Sequence, residues 1–218
     1  MANRIAVTNQ KGGVGKTTVA INVGGALAEL GRDVLLVDLD PQGAATEGLG
    51  FAAEYDAQPP SLFDVLTEPE QRDALADLIV EHDEMDVVPA NVDMTAAEPE
   101  LTLSRRGGEQ LSLALDALDD EYEYIIVDCP PYLGYLTDNG LYAAQNILIP
   151  ALAESTSKRA LELLFDHVKS LELDYEIAID ELGVIANRVE ETNEAKEMME
   201  WFEQAFPERF YQHFIAEQ

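Results

Sequence analysis

A glycine-rich segment, set between a short apolar run and a helical pattern, constrains the fold of this chain more than any other feature. Residues 10–18 read Gln-Lys-Gly-Gly-Val-Gly-Lys-Thr-Thr and follow the apolar residues 5–7. Glycines let backbone amides converge on a polyphosphate without a Cβ in the way. The helix that follows points its partially positive end at the same place. Strand, glycine-rich turn and helix together predict a phosphate-binding loop in an α/β fold.

Two lysines in this loop carry different predictions. Lys16 would reach the β- and γ-phosphates of a nucleotide, and Thr17 would hold Mg²⁺. The loop departs from the pattern G-x-x-x-x-G-K-[ST], because Gln10 stands where the first glycine is expected and Lys11 follows it. A cation inside a phosphate-binding turn is costly without an anionic partner, so we expect Lys11 to have one. An ordinary loop lysine that faces solvent is the alternative. The predicted nucleotide-binding residues of the loop are Lys11, Gly12, Gly13, Val14, Gly15, Lys16, Thr17 and Thr18.

The charge of the chain limits its partners. The formal net charge is −30, from 43 acidic and 13 basic residues. Such a surface repels nucleic acid and anionic lipid at ordinary ionic strength. The acidic residues are spread along the whole chain, which favours a salt-adapted protein from a halophile, since the Debye length falls to about 3 Å at molar salt. A merely acidic protein from a non-halophile is the alternative.

Three absences predict a cytoplasmic protein. The single cysteine, Cys129, excludes an internal disulfide and a cysteine-rich metal site built by one chain. No run approaches the roughly 20 apolar residues that span a bilayer. The first predicted strand begins within a few residues of Met1, which leaves no room for a signal peptide.

Apolar runs alternate with amphipathic patterns along the chain, which predicts βαβ units and a mostly parallel sheet with helices on both faces. We expect one domain over residues 1–218, a loop at residues 43–60, and ligands beyond the carboxyl ends of the strands. The predicted strands are residues 3–9, 33–39, 85–89, 124–127, 146–149, 182–186 and 211–215, and the predicted helices are residues 16–30, 61–80, 107–119, 156–171 and 193–206.

Two aspartates end the second predicted strand. Asp38 and Asp40 occupy alternating positions, so both side chains leave the strand tip on the same side. Asp38 would support Mg²⁺ or its waters, and Asp40 would orient and polarise the attacking water in phosphoryl transfer. A turn-forming role is the alternative for either residue.

The fourth predicted strand also ends in an aspartate. Asp128 follows an apolar run and would hold Mg²⁺ through a water or through Thr17. Two prolines at residues 130–131 make a stiff turn, and residues 132–140 behind them are predicted to be flexible, as in a γ-phosphate sensor. Cys129 is expected to be packed rather than reactive.

Four segments together resemble one family. Residues 9–18, Asp-Leu-Asp-Pro-Gln-Gly at 38–43, Val-Pro-Ala-Asn at 88–91 and Val-Asp-Cys-Pro-Pro at 127–131 resemble the ParA/MinD family of deviant Walker A ATPases, of the SIMIBI class. The short, Soj-type ParA branch fits best, and the resemblance runs from residue 3 to about residue 190. The resemblance implies a three-layer P-loop NTPase fold with a mostly parallel twisted sheet.

The resemblance also implies roles for individual residues. Family members form ATP-sandwich homodimers, in which the lysine matching Lys11 crosses to the nucleotide of the partner. Asn187, followed by Arg188, stands where the family often contacts adenine. The implied catalytic residues are Lys11, Lys16 and Asp40, and the implied residues on the magnesium side are Thr17, Asp38 and Asp128.

The function implied by the resemblance is the segregation or positioning of DNA, with slow Mg-ATP hydrolysis that a ParB-like partner stimulates. The ATP-bound dimer would bind DNA nonspecifically, and part of the protein would then lie on the nucleoid. The residues themselves give this DNA binding little support, because the chain ends short of the usual family length and its cations have acidic neighbours. The cations considered are Lys158, Arg159, Lys169, Arg188, Lys196 and Arg209.

Two alternatives remain open. A MinD-like ATPase would need a basic amphipathic helix at its C-terminus, whereas residues 193–218 are acidic on their polar side, so no membrane contact is expected. A nucleotide-dependent scaffold, or another cargo-positioning ATPase without direct DNA binding, also fits the loop. Asp40 favours turnover over a scaffold that hardly hydrolyses ATP.

Overall fold

The computed structural model describes residues 1–215 and places seven parallel strands in one sheet. The strands are β1 (Asn3–Val7), β2 (Val34–Asp38), β3 (Asp86–Val88), β4 (Tyr124–Asp128), β5 (Asn146–Leu152), β6 (Asp180–Asn187) and β7 (Phe210–Ile215). Their order across the sheet is β3-β2-β4-β1-β5-β6-β7. The predicted α/β class with a mostly parallel sheet is confirmed. A single domain over residues 1–218 stays a prediction.

The sheet separates two apolar layers, which explains the continuous apolar runs. In β2, Leu35 and Val37 face one layer, while Val34 and Leu36 face the other. Successive strand residues point to opposite faces, so a strand covered on both sides needs apolar residues at every position. Helices therefore lie on both faces, as predicted.

Nine helices connect these strands within the described residues. They are α1 (Lys16–Glu29), α2 (Ala44–Gly48), α3 (Ala52–Tyr55), α4 (Leu62–Thr67), α5 (Ala97–Leu103), α6 (Gln110–Leu115), α7 (Tyr135–Ala144), α8 (Ser155–Tyr175) and α9 (Asn193–Ala205). Short 3-10 helices cover Pro69–Leu78, Val92–Ala96, Gly107–Glu109 and Asp116–Leu118.

The predicted loop at residues 43–60 was wrong, because this stretch contains α2 and α3. Residues 132–140 lead into α7, which begins at Tyr135, and their predicted flexibility stays a prediction. The carboxylate of Glu98 accepts hydrogen bonds from the first amides of α7, Tyr135 N at 2.9 Å and Leu136 N at 3.0 Å. A carboxylate at a helix N-terminus stabilises the helix. Because Glu98 belongs to α5, this stabilisation has no local signal in residues 132–140.

The exposed faces of the helices carry acidic residues. On α9, for example, Ala195 and Met198 are buried, whereas Glu194, Glu197 and Glu200 are exposed. Among residues 1–215, no helix combines the length and the apolar character that crossing a bilayer requires.

Salt should stabilise this fold. With a net charge of −30, repulsion between exposed carboxylates opposes the compact state until salt screens it. We expect the melting temperature to rise with KCl, mostly below about 1 M, where the Debye length falls from about 10 to about 3 Å. Thermal unfolding followed by circular dichroism would measure it. Sorbitol, which does not screen charge, is the control; an equal rise in sorbitol, or a flat response to KCl, would contradict salt adaptation.

Candidate functional site

The glycine-rich loop joins β1 to α1 in a conformation that needs glycine. Gly13 has φ 73° and Gly15 has φ 90°, both in the left-handed region, and α1 begins at the next residue, Lys16. A Cβ on Gly15 would overlap the side-chain amide of Asn187. The loop thus exposes backbone amides at the N-terminus of a helix, the arrangement that binds phosphate.

A matched pair of glycines tests this packing. We expect Gly15→Ala to lower the free energy of unfolding by at least about 1–3 kcal/mol, because the left-handed backbone alone costs that much and the new methyl group meets Asn187. Gly12→Ala is the control, since a Cβ there meets nothing within 4 Å. Urea unfolding without nucleotide would measure both. Equal stability of the two variants would show that the loop is not packed in this way.

Asn187, at the end of β6, supports the loop. Its Nδ2 donates to the carbonyl of Val14 at 2.9 Å, and its Oδ1 accepts from the backbone N–H of Arg188 at 2.9 Å. Arg188 has φ 50°. Both polar atoms of the Asn187 side-chain amide are therefore hydrogen-bonded to backbone atoms of the chain. The predicted contacts of Asn187 and Arg188 with adenine stay predictions.

Lys16 lies in the cleft behind the loop. The side chain is buried, and Nζ donates to the carbonyl of Lys11 at 3.5 Å. Burial lowers the pKa of Lys16, and the carboxylates of Asp128 and Asp40 partly offset this shift. The ammonium and these two carboxylates thus act on one another within one cleft.

Asp128 is a buried carboxyl group at the end of β4. Neither of its oxygens accepts a hydrogen bond of normal geometry. Burial, followed by the charge of Asp38, raises the pKa of Asp128 to about 8, and the neighbouring Thr17 hydroxyl and Lys16 ammonium act in the opposite direction. The carboxyl oxygens of Asp128 and the neighbouring Thr17 hydroxyl are the kind of oxygen donors that magnesium takes. Asp128 and Thr17 therefore fit a magnesium ion, and their contact with it stays a prediction.

Protein ligands alone would not enclose that ion. Within the described part of the chain, no three His, Cys, Asp or Glu side chains form a metal-binding group. Magnesium usually keeps several waters and binds through one or two protein groups plus substrate phosphates. The donor set thus fits magnesium carried by a nucleotide better than a resident ion.

Both carboxylate oxygens of Asp38 accept hydrogen bonds from nearby residues of the chain. Its Oδ2 accepts from the backbone N and the hydroxyl of Thr46 at 2.8 and 2.7 Å, and its Oδ1 accepts from Asp40 N at 3.2 Å. Burial raises the pKa of Asp38 to about 6 even though these bonds favour the charged form. Asp38 thereby positions Asp40 and the start of α2. Its contact with magnesium stays a prediction.

Asp40 lies on a turn that hydrogen bonds stabilise. Its Oδ1 accepts from Gln42 N at 3.0 Å, and the side chain is 8% exposed. Tyr55, from α3, donates its hydroxyl to the Pro41 carbonyl at 2.7 Å, and its ring packs on Gly43, where no Cβ would fit. Sequence reasoning missed Tyr55, because a tyrosine in a Gly- and Pro-rich stretch gives no signal of this contact.

Lys11 does have an anionic partner, but in its own chain. Its ammonium donates to Glu154 Oε2 at 2.5 Å and to Thr156 Oγ1 at 2.7 Å. Its backbone N–H donates to Asn9 Oδ1 at 2.9 Å. The side chain is 25% exposed and lies at the rim of the loop, beside the N-terminus of α8. The solvent-facing alternative does not describe this contact, and Glu154 was missed because the two residues lie 143 positions apart.

Comparisons with known proteins agree with this geometry. A family model described as an AAA domain matches residues 2–180. The sporulation initiation inhibitor protein Soj of Bacillus subtilis is 38% identical over 99% of this chain and 84% of Soj. The chromosome partitioning protein ParA of Caulobacter vibrioides is 36% identical over 89% of this chain and 73% of ParA. An uncharacterized protein of Mycobacterium tuberculosis is 43% identical over 91% of this chain, which spans 62% of that relative.

Solved structures with the same fold hold nucleotides. The chain is 34% identical to cobyrinic acid a,c-diamide synthase from Mycobacterium smegmatis with bound ADP and magnesium, with a TM-score of 0.86 over 95% of this chain and 83% of that one. The Cyanothece McdA–ATP complex is 25% identical, with a TM-score of 0.87 over 100% of this chain and 84% of McdA. Together with the braced glycine loop and its two lysines, these similarities show that the chain belongs to the ParA/MinD-type ATPases.

Proposed function

We propose that this chain is an ATP-dependent, dimerising ParA-like ATPase that segregates or positions DNA in the cytoplasm. The observation that carries the proposal is the buried Asp128 carboxyl group, which shares its cleft with Lys16 and Asp40 behind a phosphate-binding loop. The name of the chromosome partitioning protein ParA supports a partitioning role, and a ParB-like protein is the partner that such a role implies.

The chain's own groups can supply most of the chemistry of ATP hydrolysis. Lys16 offers a fixed positive charge in a buried cleft, where it stabilises developing phosphate charge more strongly than in water. Asp40, held through one oxygen by Gln42 N, would orient the attacking water with the other. Thr17 and Asp128 would hold the magnesium that comes with the nucleotide, and this ion would supply charge neutralisation at the phosphates.

Dimerisation is proposed to depend on Lys11. We expect Lys11→Ala to bind ATP nearly as well as the wild type but to lose the ATP-dependent dimer, because a desolvated charge pair across an interface contributes several kcal/mol. Light scattering after size-exclusion chromatography in high KCl, with ATP, ADP and no nucleotide, would measure this. Lys196→Ala, which removes an exposed cation on α9, is the control. A Lys11→Ala variant that still dimerises with ATP contradicts the role of Lys11.

A second candidate function is cargo positioning without direct DNA binding. Several cations considered for a DNA surface are already engaged: Arg159 pairs with Glu162 at 3.2 Å, Arg209 with Asp180 at 3.5 Å, and Lys158 lies over the ring of Trp201 at 5.3 Å. Counterion release also gives little driving force at molar salt. DNA binding that needs ATP in molar KCl would support segregation of DNA. Equal binding with ADP, or none, would favour another cargo.

A further inference from the structure

The contact between Lys11 and the start of α8 is a closed cluster of polar groups. The Lys11 ammonium donates to Glu154 Oε2 at 2.5 Å and to Thr156 Oγ1 at 2.7 Å. The Thr156 hydroxyl lies 3.3 Å from the same Glu154 oxygen and donates to it. We call Glu154 and Thr156 the lysine clamp. In a single chain, the clamp satisfies the charge of Lys11 without any nucleotide.

The clamp stands on fixed backbone. Ser157 N donates to the Glu154 carbonyl at 2.9 Å as α8 begins. Glu194, from α9, accepts from Ser155 N at 2.8 Å, and this bond is the main cause of the lowered pKa of Glu194. The clamp residues therefore start a helix that a second helix holds in place.

The loop that carries Lys11 is tied to the same frame. Asn9 Nδ2 donates to the carbonyl of Pro150 in β5 at 2.8 Å, and Gln10 Nε2 donates to the carbonyl of Ala160 in α8 at 3.1 Å. The residues on both sides of Lys11's contact are thus hydrogen-bonded to neighbouring elements, the loop to β5 and α8 and the start of α8 to α9.

We propose that the lysine clamp holds Lys11 in the resting monomer, and that dimer assembly exchanges the Glu154 carboxylate for the phosphates of the partner's nucleotide. This inference rests on the proposed function, in which Lys11 crosses the dimer interface. One ammonium cannot satisfy both anions fully. A triphosphate carries more charge than a diphosphate and competes better with Glu154. The clamp therefore adds a cost to every assembly step in which Lys11 leaves Glu154, and it raises the ATP concentration needed for assembly.

The expected size of the effect follows from exposure. Glu154 is 51% exposed, and exposed ion pairs of this kind contribute about a two- to five-fold factor in an equilibrium constant. Each dimer releases two lysines, so the factor enters squared. Removing the clamp charge should tighten the ATP-dependent dimer by about four- to 25-fold.

The first experiment measures assembly. Glu154→Gln keeps the shape of the side chain and removes its charge, and Glu162→Gln makes the same change on α8 at a residue that pairs with Arg159 instead. Sedimentation with a non-hydrolysable ATP analogue would give the dimer dissociation constants. We expect tighter dimers for Glu154→Gln, a smaller gain for Thr156→Val, and wild-type behaviour for Glu162→Gln. A Glu154→Gln dimer as weak as the wild type, or weaker, overturns the proposal.

The second experiment needs no dimer. Acylation of the nucleotide-free protein with an amine-selective reagent, followed by peptide mass spectrometry, would measure the reactivity of Lys11 against the exposed Lys169. We expect Glu154→Gln to raise Lys11 acylation about two- to five-fold, because the Lys11 nitrogen no longer has to break its contact with a carboxylate before it reacts. Unchanged acylation overturns the clamp. A wild type that stays monomeric with every nucleotide refutes the proposed function, whereas normal wild-type dimerisation with no effect of Glu154→Gln refutes the clamp alone.

Discussion

Lys16→Ala is expected to weaken nucleotide binding by at least about 30-fold, the largest loss that any single substitution in the loop should cause. The ammonium is buried in the cleft and faces the carboxylates of Asp128 and Asp40. Truncating one member of a buried charge pair costs about 2–5 kcal/mol, and about 1.4 kcal/mol is a factor of ten. Calorimetric titration with Mg-ATP would measure the loss.

The control for this prediction is another lysine. Lys169→Ala removes an exposed cation from α8 and should leave the ATP dissociation constant within about two-fold of the wild type, as expected for a remote surface charge. Circular dichroism would establish that both variants fold. Retention of near-normal ATP affinity by a folded Lys16→Ala protein would mean that the loop does not bind phosphate through this residue.

Asp40→Ala should slow ATP hydrolysis by about 10²- to 10⁴-fold, the range for loss of a positioned acid–base group. Nucleotide binding should survive, because Asp38 anchors α2 through Thr46 independently of the Asp40 side chain. Hydrolysis would then no longer cause the dimer to dissociate, and we expect the ATP-bound dimer to persist for hours. Phosphate release and size-exclusion chromatography would measure the two effects.

A residue that flanks the same strand provides the comparison for Asp40. Asp33 lies just before β2, at the opposite end of the strand from the cleft, and is exposed. Asp33→Ala should hydrolyse ATP at the wild-type rate. If Asp40→Ala and Asp33→Ala behave alike, the attacking water is positioned by another group.

The strands were predictable because their pattern is a consequence of burial alone. Residues 34–37 and 125–127 are apolar without interruption, and the structure buries both runs on the two faces of the sheet. The phosphate-binding loop was predictable from the spacing of its glycines. The backbone at Gly13 and Gly15, with φ values of 73° and 90°, requires glycine at both positions. Features set by such local rules can be read without knowledge of distant contacts.

Features set by distant contacts could not be predicted in the same way. The N-terminus of α7 depends on Glu98, which lies 37 residues before Tyr135. Asn187 was expected at adenine, and nothing local indicates that its amide reaches Val14, 173 residues earlier. The engagement of Asp38 with Thr46 is likewise a product of the fold, because a strand-end aspartate followed by a turn fits either a metal-side role or a turn role.

The surroundings of Cys129 have a practical consequence for studying how two copies meet. The thiol is wholly buried, burial raises its pKa, and Gly140 approaches it so closely that even a methyl group there would overlap the sulfur. Thiol reagents react with exposed thiolates, so the Cys129 thiol would not react in the folded protein. A single cysteine introduced on the surface could therefore carry a spin or fluorescent label against no background, with the natural residue left in place.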